Sequence, residues 1–139
     1  GTTLANAGLG AVHGLAGPIG AFFKAPHGIV CAKLLAPITQ LNIETLIADN
    51  TTYSQQILHK YSQIALLFNP GINSDLALEF LVKTLQALTQ KYAPQGLSQY
   101  GLKLDNLDNI IQNCRSGSML GNPVKLTNNQ LIQAVKSAL

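Results

Sequence analysis

Charged side chains are almost absent from the first third of this chain. Residues 1–48 carry only Lys24, Lys33 and Glu44. Over the whole chain 11% of residues are charged, against about a quarter in typical soluble domains. Because exposed apolar surface is costly in water, this third of the chain has to be covered by lipid, by the rest of its own domain or by a partner domain.

A lipid environment fits the sequence least well of these three possibilities. Residues 1–23 have no formal charge, but the segment is diluted by Asn6, His13, Pro18 and five glycines after Gly1, at positions 8, 10, 14, 17 and 20. A membrane-spanning helix is far more continuously apolar, and a signal peptide would begin with basic residues that are missing here. We therefore expect no membrane contact and a cytoplasmic protein.

The basic balance of the chain does not indicate a nucleic-acid partner. The net charge is +3, but the nine basic residues are scattered and never cluster in threes. Aromatic residues make up 6% of the chain, too few for a base-stacking platform. We expect no binding to nucleic acid.

Two histidines stand close together in the segment GAVHGLAGPIGAFFKAPHG, residues 10–28. They are His13 and His27, and histidine is the commonest metal ligand in proteins. Gly17, Pro18 and Gly20 are predicted to interrupt any helix between them, so that the chain folds back and the two imidazoles converge. The alternative is that each histidine is a core residue whose ring bonds to a backbone carbonyl.

Cys31 offers a second way to build a metal site. It follows His27 by four residues and would share its helical face, giving a set of two histidines and one cysteine that suits zinc. The alternative is a small core side chain next to Val30 and Leu34. Without other signs of secretion, we expect both Cys31 and Cys114 to be free buried thiols.

The rest of the pattern predicts an all-α fold, a multi-helix bundle forming one domain over residues 1–139. No segment has a convincing strand pattern, and apolar residues recur at helical spacing. Capping groups are expected at Asn50, Thr51 and Thr52, at Ser74 and at Thr127. The predicted helices are 2–15, 27–47 with a bend at Pro37, 53–68, 75–92, 105–114 and 128–139.

Two segments carry a family resemblance that covers essentially the whole chain. The histidine segment, continued to Pro37, resembles the signature of the iron-containing alcohol dehydrogenases. GNPVKLTNNQLIQAVKSAL, residues 121–139, is similar to the C-terminal end of the same family. The resemblance is to the helical C-terminal domain of that family only.

The resemblance implies a two-domain enzyme in which a separate α/β domain binds NAD(P) and the helical domain holds Fe²⁺ or Zn²⁺. Its metal ligands are one aspartate and three histidines, of which the last two match His13 and His27. The other two come earlier in the family's chain, upstream of the residues in this sequence. Two ligands alone bind a metal weakly, so we expect this isolated chain to be inactive.

The resemblance also suggests further site residues beyond the two histidines. Phe22, Phe23 and Lys24 would face the nicotinamide cofactor, while Ser118 and Met119 would line the substrate pocket. For each of these the ordinary alternative is a core residue, a solvent-facing lysine or a plain glycine loop. No catalytic residue is assigned.

Gly17 departs from the family pattern, because many members carry a histidine at this position before the proline. The predicted function is an oxidoreductase that interconverts a small-molecule alcohol and an aldehyde or ketone by hydride transfer. Because of Gly17, one alternative is a maleylacetate-reductase-like member of the family with weak metal dependence. A second alternative is a non-catalytic helical binding module. The implied partner is the N-terminal nucleotide-binding domain, with a homodimer also expected from the family.

Overall fold

A computed structural model of the chain describes residues 10–115 and 117–139. Every regular element in these ranges is helical, which confirms the all-α prediction. Four short 3₁₀ segments lie between the helices, at Ser74–Leu76, Leu97–Tyr100, Leu104–Asn106 and Gly117–Gly121. The α-helices are α1 Ala11–Phe23, α2 His27–Asp49, α3 Thr52–Phe68, α4 Ala77–Tyr92, α5 Leu107–Asn113 and α6 Asn128–Ala138.

Helix α2 is the centre of the molecule and packs against α1, α3, α4 and α6. Its apolar side chains point in several directions, and Val30, Leu34 and Leu46 have no exposed surface. By length and composition alone α2 could cross a membrane, but 44% of its apolar window is buried inside the fold. The apolar character of α2 is that of a core helix surrounded by other helices.

Helix α1 runs without a break through Pro18, so the predicted interruption at Gly17, Pro18 and Gly20 is wrong. Proline inside a helix costs about 3 kcal/mol. The flanking side chains of Leu15 and Ile19 have no exposed surface, and each stabilises the helix by about 1.5–3 kcal/mol on burial. Packing therefore outweighs the proline. The predicted helix 2–15 lies mostly outside the described residues.

The chain reverses direction after α1 at Lys24 rather than at the glycines. Lys24 adopts the left-handed conformation, with φ 52°, and its N–H donates to the Gly20 carbonyl at 3.1 Å. This is a common helix ending, although glycine is the usual residue there. Pro26 then precedes α2, which begins at His27 and continues through Pro37.

The predicted caps are largely confirmed. The Thr51 side chain accepts from the Ser54 N–H at the start of α3, and Thr127 forms a capping box with Gln130 at the start of α6. Ser74 is not a cap: the Asn73 side chain accepts from the Asp75 N–H, and a 3₁₀ turn precedes α4. The sequence thus predicted that a turn precedes α4, but it did not identify Asn73 as the capping residue.

Candidate metal centre

The reversal at Lys24 brings His13 and His27 together. His13 lies in the first turn of α1, and His27 is the first residue of α2. Their ring centroids are 5.2 Å apart, with the ring planes inclined at 50°. The predicted convergence is therefore present, although a turn at the end of α1 produces it and not a hinge within it. Two imidazoles so placed can offer nitrogen atoms to one ion.

Cys31 completes a group of three donors with these histidines. The possible ligand atoms of His13, His27 and Cys31 all lie within 4.8 Å of one another, and Cys31 Sγ is 3.4 Å from His27 Nε2. Burial raises the pKa of the Cys31 thiol. Cys31 is only partly buried, at the edge of the main core. Of the two thiols expected to be buried, only Cys114 is so.

A cleft of about 490 Å³ opens beside this group. His13 and Cys31 line it together with Asn42, Tyr61 and Asn122. Most of the remaining lining is aliphatic, such as Leu35 and Ile38. A largely apolar cleft with a few polar groups suits a small molecule whose polar atom lies near the donors.

A pair of asparagines holds the start of α1 against α2. Asn122 Oδ1 accepts from the Ala11 N–H at 3.1 Å, which supplies the cap that Gly10 has no side chain to give. Asn122 Nδ2 donates to Asn42 Oδ1 at 2.8 Å and to the Val124 carbonyl at 2.6 Å. This network fixes the first turn of α1, which carries His13.

Tyr61 extends the network from α3. Asn42 Nδ2 donates to the Tyr61 hydroxyl at 3.2 Å, and burial raises the pKa of that hydroxyl, so it stays protonated at neutral pH. Sequence reasoning did not identify Asn42 or Asn122. For Asn42 the available signal was an amide within a predominantly apolar helical segment, since an amide that becomes buried has to find partners.

The donor set fits a divalent first-row metal. Imidazole nitrogen suits iron and zinc, and a thiol adds preference for zinc. No carboxylate belongs to the group that the described residues form, so further ligands to a family-type ion would come from elsewhere.

The remaining predicted residues lie at the end of α1 and in the 117–121 segment. Phe22 is half-exposed at the end of α1 and Lys24 is exposed, whereas Phe23 packs against the main core. Ser118 is partly buried, and Met119 is buried against α1. Their roles toward cofactor and substrate stay predictions.

A protein-family model described as the C-terminal part of the Fe-containing alcohol dehydrogenase family matches residues 1–139. This chain belongs to that family. Membership accounts for the helical architecture and agrees with the resemblance carried by the histidine segment.

Several curated members of the family are similar over nearly the whole chain. Alcohol dehydrogenase 4 of Saccharomyces cerevisiae is 28% identical over 96% of this chain and 32% of its own length. Lactaldehyde reductase of Escherichia coli is 29% identical over 99% of this chain and 35% of its own length. The chain thus spans about a third of the length of these two relatives.

A solved structure supports the same assignment. A crystal structure of 1,3-propanediol oxidoreductase superposes with a TM-score of 0.76 at 25% identity, covering 94% of this chain and 33% of that one. The helical fold of this chain is therefore that of a family member's matching third.

Proposed function

We propose that residues 1–139 form one helical domain, the metal-binding domain of a nicotinamide-dependent alcohol dehydrogenase of the iron-containing family. The whole enzyme would interconvert an alcohol and an aldehyde or ketone by hydride transfer in the cytoplasm. The observation that carries the proposal is the convergence of His13 and His27, with ring centroids 5.2 Å apart. Family membership and the dehydrogenase and reductase names of the relatives support the class of reaction.

His13 and His27 would hold Fe²⁺ or Zn²⁺ together with ligands that lie outside these 139 residues. The ion, when bound, supplies Lewis acidity toward a substrate oxygen. The chain's own part is to fix the two imidazoles: α1 and α2 are packed helices joined by a tight turn, and the amide network anchors the first of them. Rigid placement of this kind is what a site needs to bind an ion in one geometry.

The residues around the centre would serve the two organic molecules. Phe22, Phe23 and Lys24 lie at the α1–α2 turn, on the side from which we expect the nucleotide-binding domain to bring NAD(P). Ser118 and Met119 belong to the segment packed on α1 and would shape the substrate pocket. Phe22 is 50% exposed, which favours contact with another surface. A homodimer of the whole enzyme is part of the same expectation.

Substitution of each histidine tests this function. The protein to use is the complete product of the gene that encodes this chain, with metal content and NAD(P)H-dependent reduction of lactaldehyde and similar short aldehydes as readouts. His13→Ala and His27→Ala should each lower metal affinity by more than about 100-fold, because loss of a residue that merely supports a ligand already costs about 10–100-fold. Activity should fall in parallel.

His59→Ala is the matched control. His59 is exposed on α3 and is not part of the donor group, so this variant should keep both metal and activity. Full metal content in either the His13 or the His27 variant would refute the ligand assignment. Retained activity after loss of metal would place the protein with weakly metal-dependent reductases instead.

A further inference from the structure

We infer that Cys31 is a third protein ligand, and that His13, His27 and Cys31 together form a site for a borderline divalent ion such as Zn²⁺ or Co²⁺ within this chain alone. The inference rests on the proposed function for the two histidines and adds a thiolate to it. A site of this kind would keep an open position for a further ligand.

The geometry of the His27 and Cys31 pair is already close to that of a ligand pair. Tetrahedral zinc with bonds of about 2.3 Å to sulfur and about 2.0 Å to nitrogen separates the two ligand atoms by about 3.6 Å. Cys31 Sγ and His27 Nε2 are 3.4 Å apart. Because the residues are four apart on α2, helix geometry holds them on one face.

His13 reaches the same point from the opposite helix. The ligand atoms of the group lie within 4.8 Å of one another, which exceeds a tetrahedral edge by at most about 1.5 Å. Small rotations of the exposed His27 ring and the partly buried His13 ring would close this difference without moving either helix backbone. The cleft on the side of His13 and Cys31 leaves space for the open position.

The chemistry of the donors selects the ion. Two imidazole nitrogens and a thiolate are the ligand types that zinc and cobalt prefer over magnesium or calcium. The thiol proton of Cys31 is released to solvent when the sulfur binds the ion. Cys114 cannot substitute for Cys31, because it is buried in the core and its thiol donates to the Ile111 carbonyl at 3.2 Å.

Titration of the 139-residue chain with Co²⁺ tests the inference, because a thiolate ligand gives a near-ultraviolet charge-transfer band that imidazole does not. The wild-type chain should show this band at one equivalent, and Zn²⁺ should abolish it. Cys31→Ser should lose the band and bind Co²⁺ at least about tenfold more weakly, with an unchanged far-ultraviolet circular dichroism spectrum. Cys114→Ser is the matched control and should keep the band.

A second measurement needs no variant. Alkylation of the native chain by iodoacetamide, followed by peptide mass mapping, should modify Cys31, and one equivalent of Zn²⁺ should slow that modification by at least about tenfold. This result would hold even if the Cys31 variant folded poorly.

The outcomes separate this inference from the proposed function. Cobalt binding that requires His13 and His27 but gives no thiolate band would overturn the role of Cys31 and leave the histidine assignment standing. Failure of the chain to bind cobalt at all would overturn the self-contained site, while metal binding by the complete gene product would still decide the proposed function. A band that persists in Cys31→Ser would contradict the inference directly.

Discussion

Gly14 follows His13 directly in α1 and lies in close contact with Met119 of the 117–121 segment. A Cβ placed on Gly14 would lie 2.9 Å from Met119 Cε and 3.2 Å from Met119 Cα. The second of these atoms is backbone, so a side chain at Gly14 would displace the 117–121 segment. A Cβ placed on Gly17, one turn later, would have no atom of another segment within 4 Å.

Alanine at these two glycines should therefore have opposite effects. Gly17→Ala should raise the free energy of unfolding by up to about 1 kcal/mol, because alanine is the better helix former. Gly14→Ala gains the same propensity but overpacks the Met119 contact at a cost of about 1–3 kcal/mol, and should be net destabilising. Urea unfolding of both variants measures the difference, and equal stabilisation would contradict the described packing.

At the scale of elements, the amide network determines how α1 begins. The Ala11 N–H and the Asn42 side chain share one partner, Asn122, which precedes α6 by only a few residues. If the Asn122 amide were removed, the Ala11 N–H and the Asn42 side chain would each lose a hydrogen bond. A buried group that loses its partner costs about 1–3 kcal/mol.

Asn122→Ala should accordingly lower the free energy of unfolding by about 2–4 kcal/mol, summed over the bonds lost. It should also weaken cobalt binding, because the first turn of α1 carries His13. Asn113→Ala is the matched control: Asn113 is exposed, and among the described residues its side chain bonds only to Asn109, within α5. Guanidinium unfolding of the two variants gives the comparison, and similar losses in both would rule out a special role for Asn122.

Sequence patterns predicted the helices better than the turns and long-range contacts that connect them. Helix existence followed from apolar spacing, and Thr51 and Thr127 were recognisable because a cap bonds to residues only three positions away. The interruption predicted at Pro18 was wrong because proline has a low helix propensity, whereas burial of its neighbours stabilises the helix. Asn122 was invisible to local reasoning, since it caps a helix that begins 111 positions earlier in the chain.

The apolar faces of the outer helices are only partly covered. Apolar residues recur at helical spacing along both α3 and α4, yet Ile64 and Phe68 are 43% and 49% exposed, and Leu88 is 39% exposed. The main contacts of helix α3 are with α2 and α4. Much of its apolar stripe therefore has no partner within the described residues. Periodicity identifies an apolar face but not how much of it is covered.

For the whole molecule, the main core is formed largely by side chains of α1, α2, α5 and α6, and the candidate metal centre lies at its edge. The convergence of the two histidines was predictable because the family motif contains both and the chain between them is short. The part played by Cys31 remained one of two alternatives, because helical register places it beside His27 but does not say whether it faces the core or the histidines. The fold decides this, and Cys31 faces His27.

The proposed function requires that His13 and His27 bind one ion together. Long-range ¹⁵N–¹H spectra of the imidazoles, recorded while Zn²⁺ is added to the chain until saturation, test this requirement. The His13 and His27 nitrogens should shift with the same midpoint, while those of His59 should not move. Separate midpoints for His13 and His27, or a response of His59 equal to theirs, would contradict it.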